Sequence, residues 1–278
     1  MNLTNFHSHC SFCDGKAPLE DFIRSAIDKG FSSYGISSHA PVPFVARWAL
    51  SADRVGEYLQ EIQRLKEKYA EEIELYAGME IDYLNDLQNP SIRYFQDLPL
   101  DYRIGSVHLI YTSAGEIVDT DTKPERFQKL LEEHFQGDLR RMVTLYFDAS
   151  MRMVEMGGFD FVGHADKISY NAGLCDPTIT DQVWFQKRLR DYFALIAEKG
   201  LMMEINTKAY LSKGCFFPHI RYFRLLKELN IPVLVNSDAH LPELVNASRN
   251  EALQFLKDAG FETVRELHQG VWKEVEIG

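Results

Sequence analysis

Ile231-Pro232-Val233-Leu234-Val235-Asn236-Ser237-Asp238-Ala239-His240 is an apolar run that stops abruptly on titratable side chains. Near the other terminus, His7-Ser8-His9 closes the short apolar segment Leu3 to Phe6 in the same manner. Such a run predicts a buried strand, and a side chain at its end projects into whatever cleft the fold opens there. Two strand ends that each carry a pair of metal-capable groups are the ingredients of a metal site built from residues distant in sequence.

Working outward from these two ends, strand-like segments alternate with segments of helical period. Leu3 to Phe6 precedes a helix from about Pro18 to Gly30, with proline suited to its first turn and glycine to its end. Ser33 to Ser37 leads through a proline-bearing loop into an amphipathic helix from about Asp53 to Glu71. Leu75 to Ile81 and Ile104 to Ile110 read as the next strands, and Ser113-Ala114-Gly115-Glu116 resembles a hairpin turn. Helices follow over about Pro124 to Phe135 and Leu139 to Met156. Then come strand Phe159 to Gly163, helix Asp181 to Lys199, strand Leu201 to Asn206, helix Ile220 to Leu229, strand Ile231 to Asn236 and helix Pro242 to Ala259. Gly30, Gly158 and Gly200 precede strands, as helix C-caps feeding βα units do. The alternation predicts an α/β protein with a mainly parallel sheet. No linker rich in Pro, Gly or Ser divides the chain, so one domain over residues 1–278 is expected.

Polar residues recur at the ends of these strands. His7 and His9 end the first, His39 follows the second, Glu80 ends the third and His108 lies in the fourth. His164 follows the fifth in Gly163-His164-Ala165-Asp166, Asp238 and His240 follow the seventh, and Asp14 lies in the loop after the first. Six of the nine histidines thus occupy corresponding places in successive units. An open sheet would spread these ends along a line, whereas a barrel points them at one centre, where such barrels carry their active sites. Crowded imidazoles and carboxylates repel or shift their pKa values unless a cation holds them. Mixed imidazole and carboxylate donors suit zinc, iron or manganese better than calcium or magnesium. The set is too large for one ion, and two or three divalent ions bridged by Glu80 would use it economically. The remaining histidines, His134, His219 and His268, read as surface or hydrogen-bonded residues.

The formal net charge of -11 argues against a nucleic-acid partner, whose phosphates need a lysine- and arginine-rich face. It does not exclude a small anionic substrate, because bound cations dominate the local field. No apolar run approaches the roughly 20 residues that cross a bilayer, and MNLTNFHSH lacks the pattern of a signal peptide. No membrane partner and a cytoplasmic location are the expectation; oligomeric state is not legible. Cys10-Ser11-Phe12-Cys13 has C-x-x-C spacing, but Cys175 and Cys215 are too far apart to complete a zinc ribbon. A structural or incidental role for the cysteines is expected.

The ordered series His-x-His, a separate His, Gly-x-Glu, a further His, Gly-His-x-Asp and Ser-Asp-Ala-His resembles the PHP (polymerase and histidinol phosphatase) superfamily over the whole chain. Ser38-His39-Ala40-Pro41-Val42-Pro43 and Ser237-Asp238-Ala239-His240-Leu241-Pro242-Glu243 resemble, more narrowly, its histidinol-phosphatases. The resemblance implies a distorted, TIM-like (β/α)7 barrel with a trinuclear site at the C-terminal ends of the strands. It assigns His7, His9, Glu80 and Asp238 to one ion; Glu80, His108 and His164 to a second; and Asp14, His39 and His240 to a third. Many relatives carry histidine where this chain has Asp14, a harder donor that alters metal preference or occupancy.

The reaction implied is hydrolysis of L-histidinol phosphate to L-histidinol and phosphate in histidine biosynthesis. Phosphoryl transfer of this kind is mostly positioning and charge stabilisation. Asp14, Asp238 and His240 are the candidates to act on the leaving oxygen. Lys167, Lys208 and Arg249, near strand ends, are candidates to grip phosphate, and Trp48 to cover the site and stack on an imidazole. A phosphatase of another small phosphorylated metabolite is the nearest alternative, followed by a nuclease.

Overall fold

In the computed structural model, which describes residues 3–278, the apolar runs pair into one parallel sheet. Its strands are β1 (Leu3–Asn5), β2 (Phe31–Ile36), β3 (Glu74–Asp82) and β4 (Tyr102–Ser106). An outer hairpin of β5 (Leu109–Tyr111) and β6 (Ile117–Asp119) intervenes before β7 (Phe161–Val162), β8 (Met202–Asn206) and β9 (Val233–Asn236). The strand order is β1-β2-β3-β4-β7-β8-β9, so neighbours in sequence are neighbours in space. A helix crosses over between most of these pairs, which is the winding of a barrel rather than of a doubly wound sheet.

The seam between first and last strands is closed by the two motifs that open the sequence argument. Ser8 and Ala239 form a parallel bridge. His9 N–H donates to the Ala239 carbonyl at 2.8 Å, and Ala239 N–H to that of His7 at 3.2 Å. Below them β1 and β9 make no ladder, and side chains substitute for it. The Asn5 amide donates to Ser237 Oγ at 2.8 Å, and Asn236 Oδ1 accepts from Phe6 N–H at 2.8 Å. Arg249 Nη1 donates to the carbonyls of both Thr4 (2.9 Å) and Val235 (2.8 Å). The barrel is therefore nearly closed and distorted at this seam.

That role removes Arg249 from the candidate phosphate contacts. Its side chain is buried, its Nη2 pairs with Glu266 at 3.1 Å, and its reach is spent on the seam. A charge near a strand end reads in sequence like a ligand for an anion; here it is a strut.

Aromatic rings fill the barrel beneath the strand ends. Phe6 meets Tyr102 edge-on at 5.9 Å, and Tyr102 stacks on Phe161 at 6.1 Å. Tyr102 fits because Gly35 and Gly78 face it: a Cβ at Gly35 would lie 2.3 Å from its hydroxyl, and one at Gly78 2.2 Å from its ring. The lower mouth is plugged by an antiparallel hairpin, β10 (Thr263–His268) and β11 (Val271–Glu276), in a segment with no expected elements. Trp272 packs on Phe6 at 5.2 Å and donates to Asp160 Oδ1 at 3.2 Å. Glu266, buried to pair with Arg249, interrupts the apolar alternation of β10 and hides it from a periodicity argument.

Helices Pro124–Phe135 and Leu139–Met156 coincide with their expected ranges, because each has an unbroken apolar stripe and a defined start. Others are shorter. The expected strand Ile104 to Ile110 divides at Val107-His108, where the chain turns into the outer hairpin. The expected helix Pro242 to Ala259 begins only at Arg249, because Ser248 is left-handed with φ 54°. Helix Ile168–Cys175, directly after the Gly-His-x-Asp motif, had no counterpart among the expected elements. Among the described residues no helix is long and apolar enough to cross a membrane.

Candidate metal centre

The C-terminal strand ends converge on the carboxylate of Glu80, fully buried at the end of β3. Five imidazoles surround it. His7 Nε2, His9 Nε2 and His39 Nδ1 lie 3.2, 3.4 and 3.0 Å from Oε2. His164 Nε2 and His108 Nε2 lie 2.9 and 3.5 Å from Oε1. Asp238 Oδ1 stands 3.3 Å from His9 Nε2 and 3.9 Å from His7 Nε2. On the open side, Asp14 Oδ1 lies 3.1 Å from His240 Nε2 and 3.8 Å from His39 Nε2. All nine sequence candidates are thus brought together. His164 and Asp238 hold positive φ (26° and 47°), which non-glycine residues adopt only when the surroundings impose it.

The donor set fits divalent cations. His7 Nε2, His9 Nε2, His39 Nδ1, Glu80 Oε2 and Asp14 Oδ1 are buried with no hydrogen-bond partner, an expensive arrangement unless another group binds them. The opposite ring nitrogens explain which atom faces inward. His7 Nδ1 bonds Glu204 at 2.9 and 3.0 Å, His108 Nδ1 bonds Asp82 Oδ1 at 2.9 Å, and His240 Nδ1 bonds the Asp238 carbonyl at 3.0 Å. Each bond fixes a tautomer whose inner nitrogen offers a lone pair. The groups able to share an ion overlap: His9, Asp14, His39 and His240; His7, His9 and Glu80; His39, Glu80 and His108; His7, His164 and Asp238. They differ from the three-way partition that the family resemblance implies, in which Glu80 alone is shared, because His7, His9 and His39 also belong to two groups each.

The electrostatics favour cation capture. Burial would raise the Glu80 carboxyl, but the His7, His39 and His108 imidazoles around it hold it well below the usual range. Burial likewise opposes ionisation of Asp238, and Lys208 and His7 outweigh it. Burial lowers His7, yet Glu204, Glu80 and Asp238 push it well above an ordinary imidazole. Burial also opposes protonation of His108, and Asp82 and Glu80 raise it to about 9. His9 is lowered by burial and by His240 and His39. Carboxylates kept ionised beside protonated imidazoles are a network in which a divalent cation displaces protons.

Lys208 Nζ lies 3.0 Å and Lys167 Nζ 4.0 Å from Asp238, so both ammonium groups stand at the centre. Lys167 is also held by Asp121 at 2.7 Å. The Trp48 ring lies 5.1 Å from that of His39 and 6.3 Å from that of His108. The residues that sequence reasoning missed are the supports: Glu204, Asp82 and Cys13, whose Sγ is 3.5 Å from His9 Nδ1. Asp82 was findable, because strand alternation puts it on the face of Glu80 two residues away. Glu204 had the same signal as the other strand ends, in Glu204-Ile205-Asn206.

The family model described as "PHP domain" matches residues 4–208. The chain belongs to this family. The PHP domain chain is 26% identical over 276 residues to the "Probable histidinol-phosphatase" of Deinococcus radiodurans, covering 96% of this chain and 97% of that one. Its fold matches a solved structure from Listeria monocytogenes with TM-score 0.79 at 20% identity, over 90% of this chain and 99% of that one. It also matches histidinol phosphate phosphatase from Lactococcus lactis, solved with zinc, L-histidinol and phosphate. That match has TM-score 0.71 at 18% identity and covers 97% and 98% of the two chains. The seven-stranded, nearly closed barrel is thus the fold of these proteins.

Proposed function

We propose that this PHP domain chain is a metal-dependent phosphomonoesterase that hydrolyses L-histidinol phosphate to L-histidinol and phosphate, a step of histidine biosynthesis. The observation that carries the reading is the ring of buried donors around Glu80, five of whose atoms lack any hydrogen-bond partner. The substrate is supported by the nearly full-length likeness to the Deinococcus radiodurans relative.

His7, His9, Asp14, His39, Glu80, His108, His164, Asp238 and His240 would hold two or three ions of zinc, iron or manganese. Bound there, such ions supply positive charge for the phosphoryl oxygens and acidify water. Glu204 and Asp82 keep the His7 and His108 rings aimed inward. Lys167 and Lys208 place two ammonium groups beside Asp238, where they bind phosphate oxygens and neutralise the charge that spreads over them. Trp48 covers the His39 side and limits the water that reaches it. Of the three candidates for the leaving oxygen, Asp238 is buried and already engaged by Lys208 and Asn206. His240 and Asp14, at 3.1 Å from each other and partly exposed, stand on the open side. Against the cost of burial, the imidazoles hold the Asp14 carboxyl far below its usual range, which makes the pair a seat for a cation there rather than for a proton.

The test is phosphate release by the metal-reconstituted chain from L-histidinol phosphate, set against other small phosphate esters and single-stranded DNA. Release that is fastest with L-histidinol phosphate and abolished by a chelator is expected. Faster turnover of a different ester would move the substrate assignment, and DNA cleavage without ester hydrolysis would overturn the reading.

A further inference from the structure

Beside the C-terminal ends of β7 and β8, a cavity of about 390 Å³ opens between helix Ile168–Cys175 and residues 213–222. Its size lies at the lower end of the roughly 300–1,000 Å³ typical of small-molecule sites. None of the nine donors of the metal centre lines it, nor do Lys167, Lys208 or Trp48. It is a separate space next to that centre.

What the cavity presents is a buried acceptor without a partner. Asp166, at 0% exposure, belongs to its wall. One carboxylate oxygen, Oδ2, accepts from His219 N–H at 3.1 Å, while Oδ1 has no partner. Ser169 Oγ, on the same wall, has none either. The two cations that line the cavity, Arg221 and Lys213, do not pair with Asp166. Arg221 Nη1 donates to Asp181 Oδ1 at 2.7 Å and to Thr180 Oγ1 at 3.2 Å. The Lys213 ammonium sits 4.2 Å from the centre of the Tyr170 ring. Tyr170, Tyr222 and His219 supply aromatic walls. A buried acceptor left half-satisfied is costly, and a ligand N–H that reaches it recovers the cost, with more gained if the ligand carries charge. Aromatic faces beside it favour a flat cation over an anion.

We propose that this cavity is a second recognition site, in which the Asp166 carboxylate receives a small N–H-bearing cation, an imidazolium or a short ammonium. Two sources share that chemistry. Asp166 is two residues from His164, a span of at most about 7 Å of chain, so the nitrogen-bearing end of an ester held at the metal centre is one source. A free amine is the other. Only the first source rests on the phosphatase reading.

The experiment uses the metal-loaded chain, wild type and Asp166→Asn, a substitution that keeps an oxygen for His219 N–H. Elemental analysis establishes equal metal content. Calorimetric titration with L-histidinol and with methylammonium at pH 8, each with and without saturating inorganic phosphate, reads the site directly. Binding should weaken roughly tenfold or more in Asp166→Asn, the usual consequence of losing a hydrogen bond to a charged group. Tyr170→Ala, at a partly exposed position, should weaken it severalfold and guards against a folding defect in the first variant. A parallel rise in KM for L-histidinol phosphate, with kcat little changed, identifies the ester as the source. Loss of amine binding with KM unmoved identifies a free amine. Equal binding by wild type and Asp166→Asn, with equal KM, overturns the proposal. A chain that hydrolyses no phosphate ester would sink the phosphatase reading while the titration still decides this one.

Discussion

Replacing Arg249 with methionine separates a strut from a phosphate contact. In the structure its guanidinium donates to the carbonyls of Thr4 and Val235 and pairs with Glu266, all at 2.8–3.1 Å and all buried. Burial pulls the guanidinium down to about 10, Glu266 only partly offsetting it. Methionine keeps most of the volume but leaves two carbonyls without their donor and Glu266 without its cation. Removing one member of a buried ion pair costs about 3–5 kcal/mol, a large share of the roughly 5–15 kcal/mol that holds a typical protein folded. Urea denaturation followed by circular dichroism should show that loss as a lower midpoint with a similar slope. At 25 °C, in the protein that remains folded, KM for L-histidinol phosphate should stay within about twofold of wild type. A midpoint that does not move, together with a KM raised tenfold, would return Arg249 to the phosphate and refute the seam argument.

Glu204→Gln should weaken metal binding about 10–100-fold, read by competition with a chromophoric chelator, because His7 loses the carboxylate that fixes its tautomer; unchanged affinity would deny Glu204 that role. Burial raises the Asp166 carboxyl from 3.8 to about 7, so between these values the folded chain holds a proton that the unfolded chain has lost. Its stabilising proton is fully in place below about pH 4, and the benefit declines as pH rises through 7; in metal-free protein, wild type should therefore lose stability relative to Asp166→Asn between pH 4 and 8, and a pH-independent difference would contradict this. Trp48→Ala should raise KM for L-histidinol phosphate about 2–10-fold, the worth of one aromatic contact, and an unchanged KM would show that the loop does not read the substrate.

How far the sequence reached follows from the range of the forces involved. Strand and helix order came from local periodicity, and the convergence of His7, His9, His39, Glu80, His108, His164, Asp238 and His240 came from their repeated position at strand ends. Both are properties of short stretches, and a barrel turns equal positions into one centre without further information. Asp14 was read from the loop after the first strand rather than from a strand end, and the structure sets it against His240.

Partnerships across distant segments were not legible. Arg249 carried the same charge as Lys167 and Lys208, and only packing shows that it bridges β1 and β9 while they stand beside Asp238. The plug formed by β10 and β11 was hidden because Glu266 is buried for the sake of Arg249, which is 17 residues away in sequence. Asp166, two residues beyond His164 in the motif, turns from the metal centre to line a separate cavity. The chain alone determined which side chains lie at the strand ends, since that depends on backbone period. Tertiary structure decided what each charge faces, because Coulomb and hydrogen-bond energies depend on a few ångströms of separation and on burial, and neither is written in local sequence.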